Sequence, residues 1–380
     1  MTKARNLSLL SAVEAAATAG QTKADLNAIG VSGGRKNLII NGRQQIDQRN
    51  SGAAITCNTW SHYPSDRFRV SIRTSTAVAT AQQVTDAPEG FSHSVKITRV
   101  SSATPASSDY CVYNTKVEGY DMASTDIGES TAKTVTGSFW VKSSLIGTYS
   151  YAFQNENGSA RTSYISEYTI DSANTWEKKS ITIPLQTSGD WYTDNRGGLA
   201  IIWGLGGGSS YQTSTLNAWV STNTHESSNQ VDFMDTASAT WQITGVQLEL
   251  GSVATDFEHR SYGEELALCQ RYYYRLNVIA NQSLMIGNSL NTTSGFYTLA
   301  LPQPLRATPS VSISGFTNYR QRGGGVNVTT TVTLGTPHYT VGNSELEIDI
   351  TVSSGLPNTI QTMVFTSTGS TGYLDADSEL

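Results

Sequence analysis

Residues able to do acid–base or metal chemistry are sparse and scattered in this sequence. The five histidines, at 62, 93, 225, 259 and 338, form neither an HxH nor an HExxH spacing, so no His-built metal site is expected. The chain has no GxSxG elbow, no P-loop and no CxxC. The run GLGGGSS (204–210) does not place GxGxxG before a helix and reads as a wide turn between strands. Carboxylates are the remaining enzymatic option, because a glycosidase needs two of them roughly 5–10 Å apart across a cleft. Asp190 with Asp194, Asp232 with Asp235 and Glu249 with Asp256 are the pairs available. All lie in polar loop or strand-end text, where solvated or capping roles are expected, and no catalytic residue is assigned. Glu264 and Glu265 open a helix, where acids complement the helix dipole. Asp190, Asp194 and Asn195 in DWYTDNRGG could offer oxygens to a structural Ca²⁺, although their spacing fits no EF-hand loop. No other cofactor or metal is expected.

Aromatic residues are the better candidates for ligand contact, since Trp and Tyr pair a flat apolar face with a polar edge. Trp60 and Tyr63 (NTWSHYPSD), Trp191 and Tyr192 (SGDWYTDN) and Tyr211 (GGSSYQT) stand in turn-like text, able either to face solvent or to plug the ends of a sandwich. Trp140 shares a strand face with Thr134, Thr136, Ser138 and Lys142, so it is either covered by a loop or displayed on the sheet. Trp203 alternates with aliphatic residues and is expected in the core. Near the C-terminal end, Tyr319 sits beside Arg320 and Arg322 in NYRQRGGG, a loop suited to anionic glycans.

These candidates must be positioned by strands. The chain has 380 residues, of which 47 are Ser and 48 Thr, so small hydroxyl residues fill a quarter of it, with only 15% charged. Such a composition points to a β-rich surface protein of two or three domains. The net charge of −6 gives no overall basic footprint for nucleic acid, and no apolar run is long enough to cross a membrane as a helix. Cys57, Cys111 and Cys269 are too few and too widely spaced for a disulfide framework; a Cys57–Cys111 bridge is compatible with the spacing, but buried reduced thiols are expected. The opening MTKARNLSLLSAVEAAATAG starts basic, yet Glu14 interrupts its apolar run, so a signal peptide is not expected.

Residues 1–30 carry two capping-box spacings, Ser11 with Glu14 and Thr22 with Asp25, and read as short helices. With the joint at GVSGGRK, residues 1–36 read as a helical attachment segment. From 37 to 260, period-2 patterns such as Val135, Gly137, Phe139 and Val141, or Leu199, Ile201, Trp203 and Leu205, predict an antiparallel jelly roll or β-sandwich. A helix is predicted over 261–276, from the Ser261–Glu264 capping box and the stripe Leu266, Cys269, Tyr273 and Leu276. Residues 277–380 return to alternation, most clearly Leu346, Ile348, Ile350 and Val352, and predict a smaller β-sandwich with a thin core that oligomerisation would supplement.

The segments NLIINGRQQIDQRNSG (37–52), DRF (66–68), GSFWVKSS (137–144), NTWEKKSITIP (174–184), SNQVDFMDTASATWQITGVQLELGSVATDFEHRSYGEELALCQRYY (228–273) and YLDADSEL (373–380) resemble phage tail-fibre proteins of the type common in aquatic bacteriophages, whose relatives also serve as head fibres. The resemblance covers 37–275 well and the remainder more loosely; related fibres more often have Trp where Phe68 stands. It implies a carbohydrate-binding-module-like jelly roll on a homotrimeric fibre; with no catalytic residue assigned, a non-enzymatic fibre is expected. The particle would hold the chain through residues 1–36, exposed on the virion surface after assembly in the host cytoplasm. The partners implied are two further copies of the chain, another virion protein and a host glycan or other receptor. A head fibre or capsid decoration protein of the same fold, a polysaccharide depolymerase and a purely structural fibre segment are the rival readings.

Overall fold

The computed structural model describes residues 35–58, 60–73, 78–101, 104–158, 161–278, 283–314, 316–321, 327–329, 332–338, 344–352, 361–366 and 372–380. The helices expected within 1–30 lie outside these residues, as does Arg322. The chain divides into two compact units. Unit 1 comprises residues 1–45, 52–64 and 68–260; unit 2 comprises 46–51, 65–67 and 261–380.

Among its described residues unit 1 contains strands β1 (Ile55–Cys57), β2 (His62–Ser65), β3 (Phe68–Arg73), β4 (Ala79–Val84), β5 (Ser94–Arg99), β6 (Tyr110–Glu118), β7 (Thr134–Ser143), β8 (Gly147–Asn155), β9 (Ser163–Ile170), β10 (Glu177–Pro184), β11 (Gly197–Gly207), β12 (Gln212–Thr213), β13 (Trp219–Val220), β14 (Glu226–Ser227) and β15 (Thr240–Leu250), with the one-turn helix α1 (Gly119–Met122) and three 3-10 turns. One sheet runs β1-β4-β5-β15-β7-β10 and the other β13-β9-β8-β11-β6-β3-β2, while β12 and β14 form a small parallel pair. The two large sheets are antiparallel throughout their recorded pairings, giving the predicted sandwich.

The predicted alternation decides which residues meet between the sheets. Val135, Phe139 and Val141 of β7 are fully buried, as are Leu199, Ile201, Trp203 and Leu205 of β11. Trp203 packs on Phe139 across the sandwich at 5.5 Å, edge to face, and on Tyr151 and Tyr113 of its own sheet at 5.3 and 6.0 Å. Gly137 occupies the core face of β7 because a Cβ there would run into the Tyr151 hydroxyl. All three cysteines are buried free thiols.

Unit 2 contains α2 (Tyr262–Gln270) and strands β16 (Tyr273–Val278), β17 (Ser283–Ser289), β18 (Ser294–Ala300), β19 (Ser310–Ser314), β20 (Phe316–Gln321), β21 (Asn327–Thr329), β22 (Val332–His338), β23 (Glu345–Val352), β24 (Gln361–Thr366) and β25 (Gly372–Asp377). They form a three-stranded sheet, β16-β25-β19, and a seven-stranded one, β21-β20-β24-β17-β18-β23-β22. Leu346, Ile348 and Ile350 are buried as their alternation predicts, with Tyr297 opposite Ile348 and Leu299 opposite Leu346 on β18.

The helix predicted over 261–276 is shorter than its stripe suggested. Its N-terminus is the predicted capping box: Ser261 accepts from the Glu264 amide, and Glu264 accepts from the Ser261 amide. Beyond Gln270, however, residues 273–278 are a strand paired with β25, and Arg275 makes two 2.6 Å hydrogen bonds to the carboxylate of Asp375, directly opposite. Three consecutive tyrosines favour extended backbone, and the ladder and ion pair outweigh a helical spacing that was coincidental at Tyr273 and Leu276.

Ion pairs to acids on and just after β25 tie this unit together. Arg49 reaches Asp377 at 3.0 Å and Asp66 at 3.5 Å, while its guanidinium lies 3.5 Å from the Tyr273 ring centre. Arg67 pairs with Glu379 and stacks on Tyr272. Asp66 is fully buried and also accepts from the Gln48 amide and side chain.

Two outcomes are expected in chemical denaturation. Gly137→Ala destabilises unit 1 by about 1–3 kcal/mol, and adding Tyr151→Phe recovers part of the loss by removing the colliding hydroxyl. Arg49→Ala destabilises unit 2 by about 1–3 kcal/mol, because it removes the ion pair to Asp377 and a hydrogen-bond donor to the buried Asp66, whose carboxyl burial already raises to about 7.

Candidate functional site

The seven-stranded sheet of unit 1 presents its second face outward, and the register builds that face in rows. In one row Arg69 lies opposite Asn114, which lies opposite Ile202, then Ala152, then Ile165. In the next, Lys116 is followed by Ala200, Gln154 and Ser163. Arg73 lies opposite Tyr110, and Ser71 opposite Val112. Neighbours in such rows are about 4.8 Å apart. The centre is therefore floored by apolar side chains, Val112, Ala200 and Ile202, and flanked by long polar ones. The result is a groove of about 360 Å³.

Two loops complete it. Arg161, between β8 and β9, donates to Gln154 at 3.3 Å and to Asn223 at 3.2 Å, and Gln154 also donates to Asn223 at 2.9 Å. The segment around β12 to β14 brings Tyr211 and His225 to the rim. Their rings stack at 4.9 Å, and Tyr110 meets both edge-on at 5.0 and 5.4 Å. Arg73 donates to the Tyr211 hydroxyl at 3.1 Å, and its guanidinium lies 5.4 Å from the ring centre of Trp60. Trp60 is 61% exposed, a large apolar surface left open to a ligand. On the floor side Arg69 donates to Asn114 at 2.7 Å, and Asn114 donates to Ser71 at 3.1 Å.

Burial governs the titration of this site. His225 is 6% exposed and pushed down to about 3 by burial, with Arg161 adding to the effect, so it is neutral; its Nε2 has no hydrogen-bond partner. Lys116 is lowered by burial, opposed by its ion pair with Glu156 and reinforced by Arg69 and Arg161. Behind the rim, Glu226 lies over β11, where a Cβ on Gly204 would come within 2.6 Å of its Cγ. Burial raises Glu226 to about 8, although it accepts from the Gly206 amide at 3.2 Å. It is thus a neutral carboxylic acid at pH 7.

The groove unites two of the residues singled out from sequence, Trp60 and Tyr211. The others lie elsewhere. Trp191 is buried in the core against Trp219, edge to face at 5.5 Å. Tyr192 is half-buried under the Arg196 guanidinium at 3.5 Å, and Tyr63 is half-buried on β2. Trp140 is half-buried on the outer face of the other large sheet, where it and Phe91 crowd the space above Gly245. Tyr319 and Arg320 fall on β20, opposite Val364 and Met363 of β24. The oxygens considered for Ca²⁺ are engaged in part: Asp194 pairs with Arg196 at 2.8 Å, and Asp190 accepts from Asn157 at 2.9 Å. Among the described residues no group of three His, Cys, Asp or Glu is arranged to hold a metal.

Arg69, Arg73, Lys116, Asn114 and His225 were not singled out beforehand. A signal for the first two was present, because in FRVSIR the charged and hydroxyl residues alternate with Phe68, Val70 and Ile72. Arg161 and His225 sit in loops, and no periodicity points to them.

No family model matches the chain, and no curated protein matches it. Similar solved structures include the enzymatically active domain of tailspike protein 4 from bacteriophage CBA120, at 12% identity and a TM-score of 0.30, covering 57% of this chain and 21% of that one. A candidate sugar-binding protein from Bacteroides thetaiotaomicron matches at 12% identity and a TM-score of 0.34, covering 57% of this chain and all of that one. A family 11 carbohydrate-binding module from Clostridium thermocellum, solved with a β-1,3-1,4-mixed-linked tetrasaccharide, matches at 10% identity and a TM-score of 0.27, covering 53% of this chain and 98% of that one.

The raised Glu226 pKa sets a pH dependence. The folded state holds the proton up to about pH 8, whereas the unfolded carboxyl releases it near its ordinary 4.5, so this group's stabilisation is present in acid and lost as pH rises between those values. Glu226→Gln removes that loss. Its melting temperature relative to the parent is expected to rise by several degrees from pH 5 to pH 8.5, as read by scanning calorimetry.

Proposed function

We propose that this chain is a glycan-binding adhesin of a phage fibre and that the outer-face groove of unit 1 holds the saccharide. The observation that carries this reading is the lining of the groove. Exposed Trp60 and the rim ring of Tyr211 offer flat apolar faces to the C–H surface of a sugar. Asn114, Gln154, Asn223 and Ser71 offer amides and hydroxyls to its OH groups. Strand register and mutual hydrogen bonds hold these groups in place, which limits the entropy lost when a ligand binds. The volume falls within the range usual for small-molecule sites.

The reading is non-catalytic. Hydrolysis of a glycosidic bond needs two carboxyl groups flanking it; among the described residues lining the groove Glu156 is the one carboxylate, and it is committed to Lys116. The sequence resemblance supports the remainder: a homotrimer trimerised through residues 277–380, with residues 1–36 attached to another virion protein. Three copies per fibre would convert weak single-site binding into avidity.

Fluorescently labelled full chain on bacterial cells tests this. Labelling is expected to be lost after periodate oxidation of surface glycans, and Trp60→Ala or Tyr211→Ala to weaken it about tenfold, ~1.4 kcal/mol each. Labelling that survives oxidation and both substitutions would overturn the reading.

A further inference from the structure

We propose that the groove selects acidic saccharides, those bearing carboxylate or sulfate groups; this rests on reading the groove as a glycan site. The observation is a set of cations built into a chain whose net charge is −6. Arg69 and Arg73 stand four residues apart on the groove face of β3, Lys116 rises from β6, and Arg161 reaches in from the β8–β9 loop. Against four cations the lining sets one carboxylate, Glu156, already paired with Lys116.

The three arginines are held but not neutralised. Among the described residues none has a carboxylate within ion-pair distance. Each is oriented by a neutral acceptor: Arg69 by Asn114 at 2.7 Å, Arg73 by the Tyr211 hydroxyl at 3.1 Å, and Arg161 by Asn223 at 3.2 Å and Gln154 at 3.3 Å. A guanidinium presents five donors, so each keeps N–H groups for a carboxylate or sulfate. Their fields converge inside the groove, since Arg69 and Arg161 both act on Lys116 and Arg161 also acts on His225.

A second observation points to a ligand at the same place. The unpartnered Nε2 of His225 belongs to a side chain 6% exposed that lines the groove. A buried polar atom without a partner is costly; because Nε2 is closed off, a saccharide oxygen satisfies it only where the rim rings shift to admit it. Cations fixed by neutral partners, beside an unfilled imidazole nitrogen and an open indole, form a site preorganised for an anionic ring.

The test is retention of the full chain by polygalacturonate, alginate, hyaluronate and chondroitin sulfate, each against its carboxyl-reduced or desulfated counterpart, at low and high salt. At least one acidic polymer is expected to bind, with its neutral counterpart at least tenfold weaker. Arg69→Ala combined with Arg161→Ala should abolish the difference while circular dichroism stays unchanged. Equal binding of acidic and neutral forms would overturn the charge selectivity and leave the glycan reading standing. Retention by no acidic polymer would overturn the proposal. Tighter binding to a single-stranded oligonucleotide than to any polysaccharide, lost in the same arginine variant, would overturn both it and the glycan reading.

Discussion

Everything that the outer face of unit 1 displays depends on what Trp203 does on the inner one. Its indole meets Phe139 of the opposing sheet and Tyr113 and Tyr151 of its own, so it spaces the layers and fixes the register of β11 between β6 and β8. A strand has only two faces, and a slip of one residue exchanges them. With Leu199, Ile201 and Trp203 held inward, Ala200 and Ile202 must face out; with Phe68, Val70 and Ile72 inward, Arg69, Ser71 and Arg73 must face out. The groove is the reverse side of the core.

That dependence explains how much could be read in advance. Strand positions were legible because alternation is local. The sandwich, the core role of Trp203 and the buried faces of β7, β11 and β23 all follow from it. The extent of α2 was not, since Leu276 completes a helical stripe with Tyr273 and a strand face with Tyr274, and the pairing that favours the strand comes from Asp375, about a hundred residues away. Exposure of aromatics in turns was likewise undecidable locally: Trp60 and Trp191 occupy similar polar text, yet one is open and the other packs on Trp219. The rim is assembled from β3, β6 and two distant loops, and no local pattern places Arg161 or His225 beside Arg69.

Adjacent residues in the rim segment show how the same chemistry is turned to different ends. His225 presents its ring to the groove between Tyr211 and Tyr110, while Glu226 lies over the glycines of β11. Burial keeps both neutral at pH 7 by moving their pKa values in opposite directions. A neutral pair here leaves the arginines as the main source of charge near the groove.

Unit 2 is discontinuous in sequence, and its acids Asp375, Asp377 and Glu379 engage Arg275, Arg49 and Arg67 respectively. The Arg67–Glu379 pair spans 312 residues. A ribosome delivers Arg49 and Arg67 long before it delivers Asp377 and Glu379, so these two ion pairs must wait while almost the whole intervening chain is synthesised. Unit 2 therefore closes only after translation has reached its last strand, and a prematurely ended chain would leave these early arginines and the buried Asp66 without a finished environment.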